Sequence, residues 1–330
     1  MVGMRRINGR EVNPIGLGCM SLSWAYGTPP SDEAGERLLG RALDLGYTHL
    51  DTANIYGLGH NETRLGNALK GRRREFFLAT KMGIKVDGTK RSIDCSPAAI
   101  RENVDQSLAR LQTDHIDLYY MHRRDFSVPI EESMGAMKEL VQAGKIGAVG
   151  LSEMSAETLR RAHAVHPVAA VQTEYSLWTR NPEIAVLDAC RELGTTFVAF
   201  SPVARGVLAN GVRDMAALPD KDLRHTMPRF NADNWPRNLA LVDAFNAVAA
   251  REGVTPAQLS LAWVLSRGDH VVAIPGTANE AHLAENIARW DWDIPAAVAA
   301  ELDGLINQQT VAGHRYGEVM RPTIDTEDFA

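Results

Sequence analysis

Cysteine is scarce in this chain: Cys19, Cys95 and Cys190 are the only three among 330 residues, and no two are close together. An odd, sparse count without metal-like spacing speaks against a disulfide framework or a structural zinc site and for reduced thiols in the cytoplasm. No run approaches the roughly 18 apolar residues of a membrane span. The opening stretch, MVGMRRINGREVN, has no apolar segment after its charges, so no secretory signal is expected. A basic stripe is also missing. The formal charge is −6, which argues against nucleic acid as a partner. The densest basic run, Arg72-Arg73-Arg74, reads as a solvated turn just past a helix end, where cations complement the helix dipole. Linkers and low-complexity tracts are absent, and 45% hydrophobic residues supply ample core. The length exceeds the usual ~100–200 residues of a domain, but α/β barrels run longer, so residues 1–330 are expected to form a single domain.

What is present is alternation. Short apolar runs at Ile15–Cys19, Thr48–Asp51, Phe76–Thr80, Ile116–Met121, Ile146–Leu151, Ala170–Gln172, Thr196–Phe200 and Val271–Ile274 read as eight strands, each pair separated by enough chain for a crossover helix. Ser96-Pro97, Ser155 and Thr255-Pro256 carry helix-start chemistry, and Ile100, Val104, Leu108 and Leu111 repeat at helical spacing. Gly46, Gly144 and Gly194 stand where left-handed caps would close helices before strands. Eight such units predict a closed parallel (β/α)8 TIM barrel. The rival is an open doubly wound sheet, which calls for G-x-G-x-x-G after its first strand. Here Gly16-Leu17-Gly18-Cys19-Met20-Ser21 lacks the third glycine. The longest irregular stretch, Ala204 to about Trp235, follows the seventh strand and reads as a lid or binding loop.

Barrel chemistry gathers at the C-terminal ends of strands. The second strand ends at Asp51, in DTANIYG, with Tyr56 just beyond; the third ends at Lys81, in FFLATK; the fourth ends at His122, in IDLYYMH. Singly, each has a structural reading: a loop cap, turn packing, a snorkelling lysine, a satisfied histidine. Together, on consecutive strands, they make a proton-transfer device. A phenol titrates near 10 and donates poorly at neutral pH; a neighbouring ammonium lowers that value, a carboxylate holds the ammonium, and an imidazole orients a carbonyl oxygen. Protonating a nascent alkoxide also needs a hydride, which no side chain supplies, so a nicotinamide cofactor is expected across the same rim.

With DTANIYG, LATK and DLYYMH in order, and with GKIGAVGLSE, AAVQTEYSLWTR, AFSPVARGVL, TPAQLSLAWVL and IPGTANEAHLAEN along the chain, the sequence resembles the aldo-keto reductase superfamily, in particular a microbial branch of aldehyde, ketone and pyridoxal reductases. The resemblance runs from Gly16 to Asn286. It implies reduction of an aldehyde or ketone by NADP(H) or NAD(H), with Tyr56 as general acid assisted by Lys81, Asp51 and His122. It implies that Ser152 and Gln172 bond the nicotinamide carboxamide, that Gly18 and Met20 line that end, and that Phe200 stacks on the ring. Ser201, Val203, Arg205 and Gly206 are implied to hold the pyrophosphate, and Gly276, Thr277, Asn279, His282, Glu285 and Asn286 the adenosine end, where a helix N-terminus suits an anion. Glu153 stands where many members carry asparagine. Relatives preferring the phosphorylated cofactor carry Lys or Arg just after the Thr277 position or at the His282 position; Ala278, Asn279 and His282 stand here instead. Trp24 is expected to wall the substrate pocket, with Trp178 and the Ala204–Trp235 loop as further candidates.

Two rivals remain at this level. One is a cofactor-sensing subunit of the same fold with little turnover. The other is a metal-dependent barrel enzyme drafting Asp51, His60, Glu62 and His122, although no H-E-x-x-H motif supports it.

Overall fold

The computed structural model describes residues 2–88 and 90–329. Eight parallel strands follow one another around a barrel: β1 Leu17–Gly18, β2 His49–Asp51, β3 Phe77–Met82, β4 Leu118–Met121, β5 Val149–Ser152, β6 Val168–Glu174, β7 Thr196–Phe200 and β8 Val271–Ile274. Each pairs with its neighbours in sequence. The ring closes where the segment around β1 meets β8, through bridges Ile15 to Ala273 and Gly18 to Gly276 and bonds from the Gly16 N–H to the Ala273 carbonyl and from the Ala273 N–H to the Pro14 carbonyl, both 2.8 Å. All eight expected strands are present, with ends shifted by a few residues.

The helix starts follow from local chemistry. The Ser96 hydroxyl accepts from the Ala99 N–H with Pro97 at the first helical position, Ser155 accepts from Thr158, and Thr255 forms a capping box with Gln258. No described helix is long and apolar enough to cross a membrane. The Arg72–Arg74 turn differs from its expectation. Arg72 pairs with Asp44 and Glu75, and Arg73 with Asp117, so the run fastens a helix end to the barrel instead of standing free in solvent.

Two hairpins lie outside the eightfold pattern. Arg5–Ile7 and Arg10–Val12 pair antiparallel and push Ile7 and Val12 into the barrel interior beside Phe77, Leu118 and Val272. Their turn is Asn8-Gly9 with both φ angles positive, the sequence-level hairpin signal. Ile84–Asp87 and Lys90–Ile93 form the second, directly after β3.

The strand period of two then builds the site. Along β3, Phe77, Ala79 and Lys81 share the inward face; along β4, Leu118, Tyr120 and, one step past the strand end, His122 do so. The same parity carries His49 to Asp51, Ala148 to Gly150 and Ser152, and Ala170 to Gln172 and Glu174. The inner face is therefore apolar at the floor and polar at the C-terminal rim. Gly150 makes this layer possible: a Cβ there would fall inside the Tyr120 ring, which is buried and cannot yield. Gly150→Ala is expected to destabilise the barrel by about 1–3 kcal/mol through overpacking, measured as a lower urea midpoint with unchanged slope.

Candidate active site

Lys81 is 0% exposed. Its ammonium donates to the Asp51 carboxylate and to the Thr52 carbonyl at 2.8 Å, and its charge acts on the Tyr56 phenol. It also lies 5.3 Å from the centre of the Tyr56 ring and 5.7 Å from that of Tyr120. The second oxygen of Asp51 accepts from the Gln172 amide at 2.8 Å. Burial pulls the lysine down, but Asp51 and Tyr56 outweigh it and hold the ammonium above its ordinary range, so it stays charged.

Tyr56 is placed by a tight turn. Gly57, Leu58 and Gly59 all adopt left-handed conformations, at φ 59°, 56° and 92°, before the helix His60–Ala68 begins. Gly57 has a second reason to be glycine, since a Cβ would crowd Ser23 and His60 at 3.1 and 3.2 Å. The His122 ring meets Tyr56 edge-on, with centroids 6.0 Å apart. Its Nδ1 is buried without a partner. Burial, then Arg123 and Lys81, push it well below the usual histidine range, so the imidazole is neutral.

The expectation that Lys81 would leave Tyr56 with a lowered pKa needs correction. Lys81 does act in that direction, but burial is the larger influence, and the phenol sits above its ordinary value. The site thus holds a neutral phenol and a neutral imidazole around one buried cation.

The expected cofactor residues take these places. Gly18 and Gly276 face each other across the β1/β8 seam, with Met20 half-buried just beyond. Ser152 ends β5, and Phe200 ends β7 with its side chain partly exposed. Ser201 is left-handed, and Val203 is followed by left-handed Ala204, Arg205 and Gly206, a tight curl in which the Ala204 N–H donates to the Ser201 carbonyl and the Gly206 N–H to the Val203 carbonyl. Asn279 caps the helix Glu280–Ile287, accepting from Ala281 at 2.8 Å; Thr277 is buried, His282 exposed, Glu285 half-buried and Asn286 buried. Two side chains have other engagements than expected. Gln172 is bound to Asp51. Arg205, instead of standing free for a pyrophosphate, donates to Glu174 at 2.6 Å and to the Tyr26 hydroxyl at 2.8 Å, because Glu174 is a buried carboxylate in need of a counter-charge. Trp24 is half-buried with the Arg91 guanidinium 4.9 Å from its ring centre. Trp178 is buried, close to Glu174, Arg205 and Arg229, with no cavity between them large enough for a water molecule. Of the residues drafted for a metal, Glu62 is held by Thr80 and Arg110, and His60 by Asp32.

The irregular stretch after β7 consists of short 3-10 turns. Asp222 accepts from the Gly27 N–H, the Leu223 N–H donates to the Ala25 carbonyl, and Arg224 binds both Asp222 and the Arg205 carbonyl. The stretch is thereby strapped to the loop that follows β1. Sequence reasoning missed a second tie. Glu153, left-handed at φ 54°, receives a two-pronged bond from Arg315 at 2.9 and 2.6 Å, a bond from Thr326 at 3.0 Å and another from the Glu174 N–H. Burial raises its pKa, but Arg315 overrides this and brings it to about 2.

A family model described as the aldo/keto reductase family matches residues 14–307. An aldo-keto reductase yakc [NADP(+)] of Schizosaccharomyces pombe is 43% identical over 319 residues, 94% of each chain. Among solved structures, the glycerol dehydrogenase AKR11B4 of Gluconobacter oxydans superposes with a TM-score of 0.84 at 28% identity, covering 99% of this chain and 97% of that one. An aldo/keto reductase of Klebsiella pneumoniae in complex with NADP and acetate gives 0.72 at 28% identity, covering 96% and 99%.

Arg315→Ala strands the Glu153 carboxylate and should cost about 3–5 kcal/mol, read from denaturant unfolding at pH 7. Because the folded pKa lies below the ordinary 4.5, the pair's contribution is present above pH 4.5 and is lost as pH falls toward 2. Wild type should therefore show an acid loss across that window that the variant lacks. A cost under about 1 kcal/mol, in the range of an exposed pair, would show the tie to be idle.

Proposed function

Since this chain belongs to the aldo/keto reductase family, we propose that its rim reduces the carbonyl of an aldehyde or ketone, with Tyr56 as the proton donor. Family membership makes it an NAD(P)H-dependent oxidoreductase. The observation that carries the residue assignment is the buried Lys81 ammonium, bound to Asp51 and the Thr52 carbonyl and 5.3 Å from the centre of the Tyr56 ring.

When bound, the nicotinamide supplies the hydride. The chain's own residues do the rest. His122, neutral and buried, directs an imidazole N–H at the carbonyl oxygen and fixes its orientation. Tyr56 is fully protonated at neutral pH, because burial raises it, so the donor form is the resting form. As charge develops on the oxygen, the phenol gives up its proton, and Lys81 stabilises the phenolate left behind. Asp51 keeps the lysine charged through the cycle, and Gln172 keeps Asp51 in place. Ser152, Phe200, the Val203–Gly206 curl and the Gly276–Asn279 segment are the groups suited to hold the dinucleotide. The NADP in the Klebsiella neighbour and the name of the yeast relative support the phosphorylated form.

Tyr56→Phe should lower kcat by about 10²–10⁴ for any aldehyde turned over, the range for a lost general acid, while NADPH still quenches intrinsic fluorescence with little change in affinity. Reduction at the wild-type rate would remove Tyr56 from the mechanism. Cofactor choice is the second test. With Ala278, Asn279 and His282 at the positions where a 2′-phosphate would meet a cation, NADPH should bind less than about a hundredfold tighter than NADH, roughly 2.7 kcal/mol. A larger ratio in titrations with both would show a phosphate contact elsewhere.

A further inference from the structure

Four arginines with little exposure crowd one side of the rim, Arg123, Arg205, Arg229 and Arg315, and two buried carboxylates stand among them, Glu153 and Glu174. Arg315 takes Glu153, and Arg205 takes Glu174. Arg229 is spent on structure: it bonds the Thr179 hydroxyl and the Gly313 carbonyl, joining the long loop to the C-terminal segment.

Arg123 has no such employment. It follows His122 in the chain and is 8% exposed. Among the described residues the one hydrogen bond of its guanidinium runs from Nη1 to the His122 carbonyl at 2.7 Å, and its Nε is buried without an acceptor. No ion pair of the described residues involves it. The neighbouring charges are already balanced, Lys81 by Asp51 and Glu153 by Arg315. Arg229 and Arg123 therefore remain as cations without a paired carboxylate, and of the two it is Arg123 that adjoins His122. A buried guanidinium without a counter-ion is costly, and its position beside His122 places it next to where the carbonyl would lie. Its field is felt by both His122 and Tyr56.

We infer that Arg123 is a specificity residue that receives an anionic group of the substrate, so that the preferred substrates are aldehydes or ketones bearing a carboxylate. The guanidinium fork matches a carboxylate, and its anchor on the His122 carbonyl fixes that fork relative to the imidazole that orients the reacting oxygen. This rests on the carbonyl-reductase reading above and goes beyond it by naming the substrate class.

The test compares 3-carboxybenzaldehyde with its methyl ester, using NADPH and purified wild type, Arg123→Gln and Arg123→Lys. Wild type should favour the carboxylate in kcat/KM by about ten- to a hundredfold, the range of a charge-assisted hydrogen bond. Arg123→Gln should bring that ratio close to one, through KM more than kcat, and Arg123→Lys should keep part of it. NADPH fluorescence titration reports folding and cofactor affinity for each variant. Should Arg123→Gln fail to fold, the partial ratio in Arg123→Lys carries the test. A wild-type ratio near one overturns the inference. So does an equal loss on both aldehydes in Arg123→Gln, or a weakened NADPH affinity with the ratio intact, which would assign Arg123 to structure or to the cofactor. If wild type reduces neither compound nor any other aldehyde, the underlying function fails, and this inference with it.

Discussion

A lysine ammonium with no exposed surface is the constraint to which the rest of the rim answers. Taking such a charge out of water costs several kcal/mol unless a partner and hydrogen bonds compensate it. Asp51 is that partner, but it is itself buried, and its second oxygen in turn requires the Gln172 amide. The third member of the chain is the Thr52 carbonyl, and the Tyr56 ring lies 5.3 Å from the ammonium. Asp51, Lys81 and Gln172 have their places because the strand pleat sets alternate residues facing inward, apolar below and polar at the end, and the Gly57–Gly59 turn adds Tyr56. Phe77 and Ala79 below Lys81 are as much a part of the site as Asp51, since they fill the barrel to the level at which the lysine must sit.

That burial also decides the protonation states. The same desolvation that makes Lys81 need Asp51 raises Tyr56 and depresses His122. Tyr56 and His122 are both uncharged, and beside them stand the Lys81–Asp51 pair and the Arg123 guanidinium. For the proposed reduction, fixed cations and neutral donors of this kind respond more strongly to negative charge appearing on a carbonyl oxygen than to the neutral carbonyl. This is the asymmetry between ground state and transition state that accelerates a reaction. An exposed lysine would have been screened by water and would lack it.

Much of this was legible in the sequence, for reasons that can be stated. The eight strands show as β-branched and aromatic runs because a parallel barrel buries both faces of each strand. Asp51, Lys81 and His122 could be placed together because each ends such a run, and strand ends share one rim. The Arg5–Val12 hairpin escaped notice, although Asn8-Gly9 announces it, because its flanking strands of three residues are mostly charged. The tie between Glu153 and Arg315 leaves no local trace: the two are 162 residues apart, and neither lies in an apolar pattern. The direction of the Tyr56 shift was misjudged because sequence shows which charges are near a phenol but not how deeply it is buried, and here depth outweighs charge.

The ion pairs that escaped sequence reasoning explain a further feature of the backbone. Nine non-glycine residues among those described are left-handed, and seven of them, Ala25, Leu58, Glu153, Ser201, Ala204, Arg205 and Asn210, lie in loops that leave the C-terminal ends of strands. Such conformations cost of order 1–3 kcal/mol each and persist only where surrounding contacts over-determine them. Glu153 is held by Arg315 and Thr326, Arg205 by Glu174 and Tyr26, and the carbonyl of Ala25 by Leu223. Buried ion pairs are usually poor sources of net stability, since desolvation consumes most of their attraction. At this rim their consequence is geometric. They fix the left-handed turns at Glu153 and Arg205 beside the C-terminal ends of β5 and β7, which flexible loops with the same composition would not do.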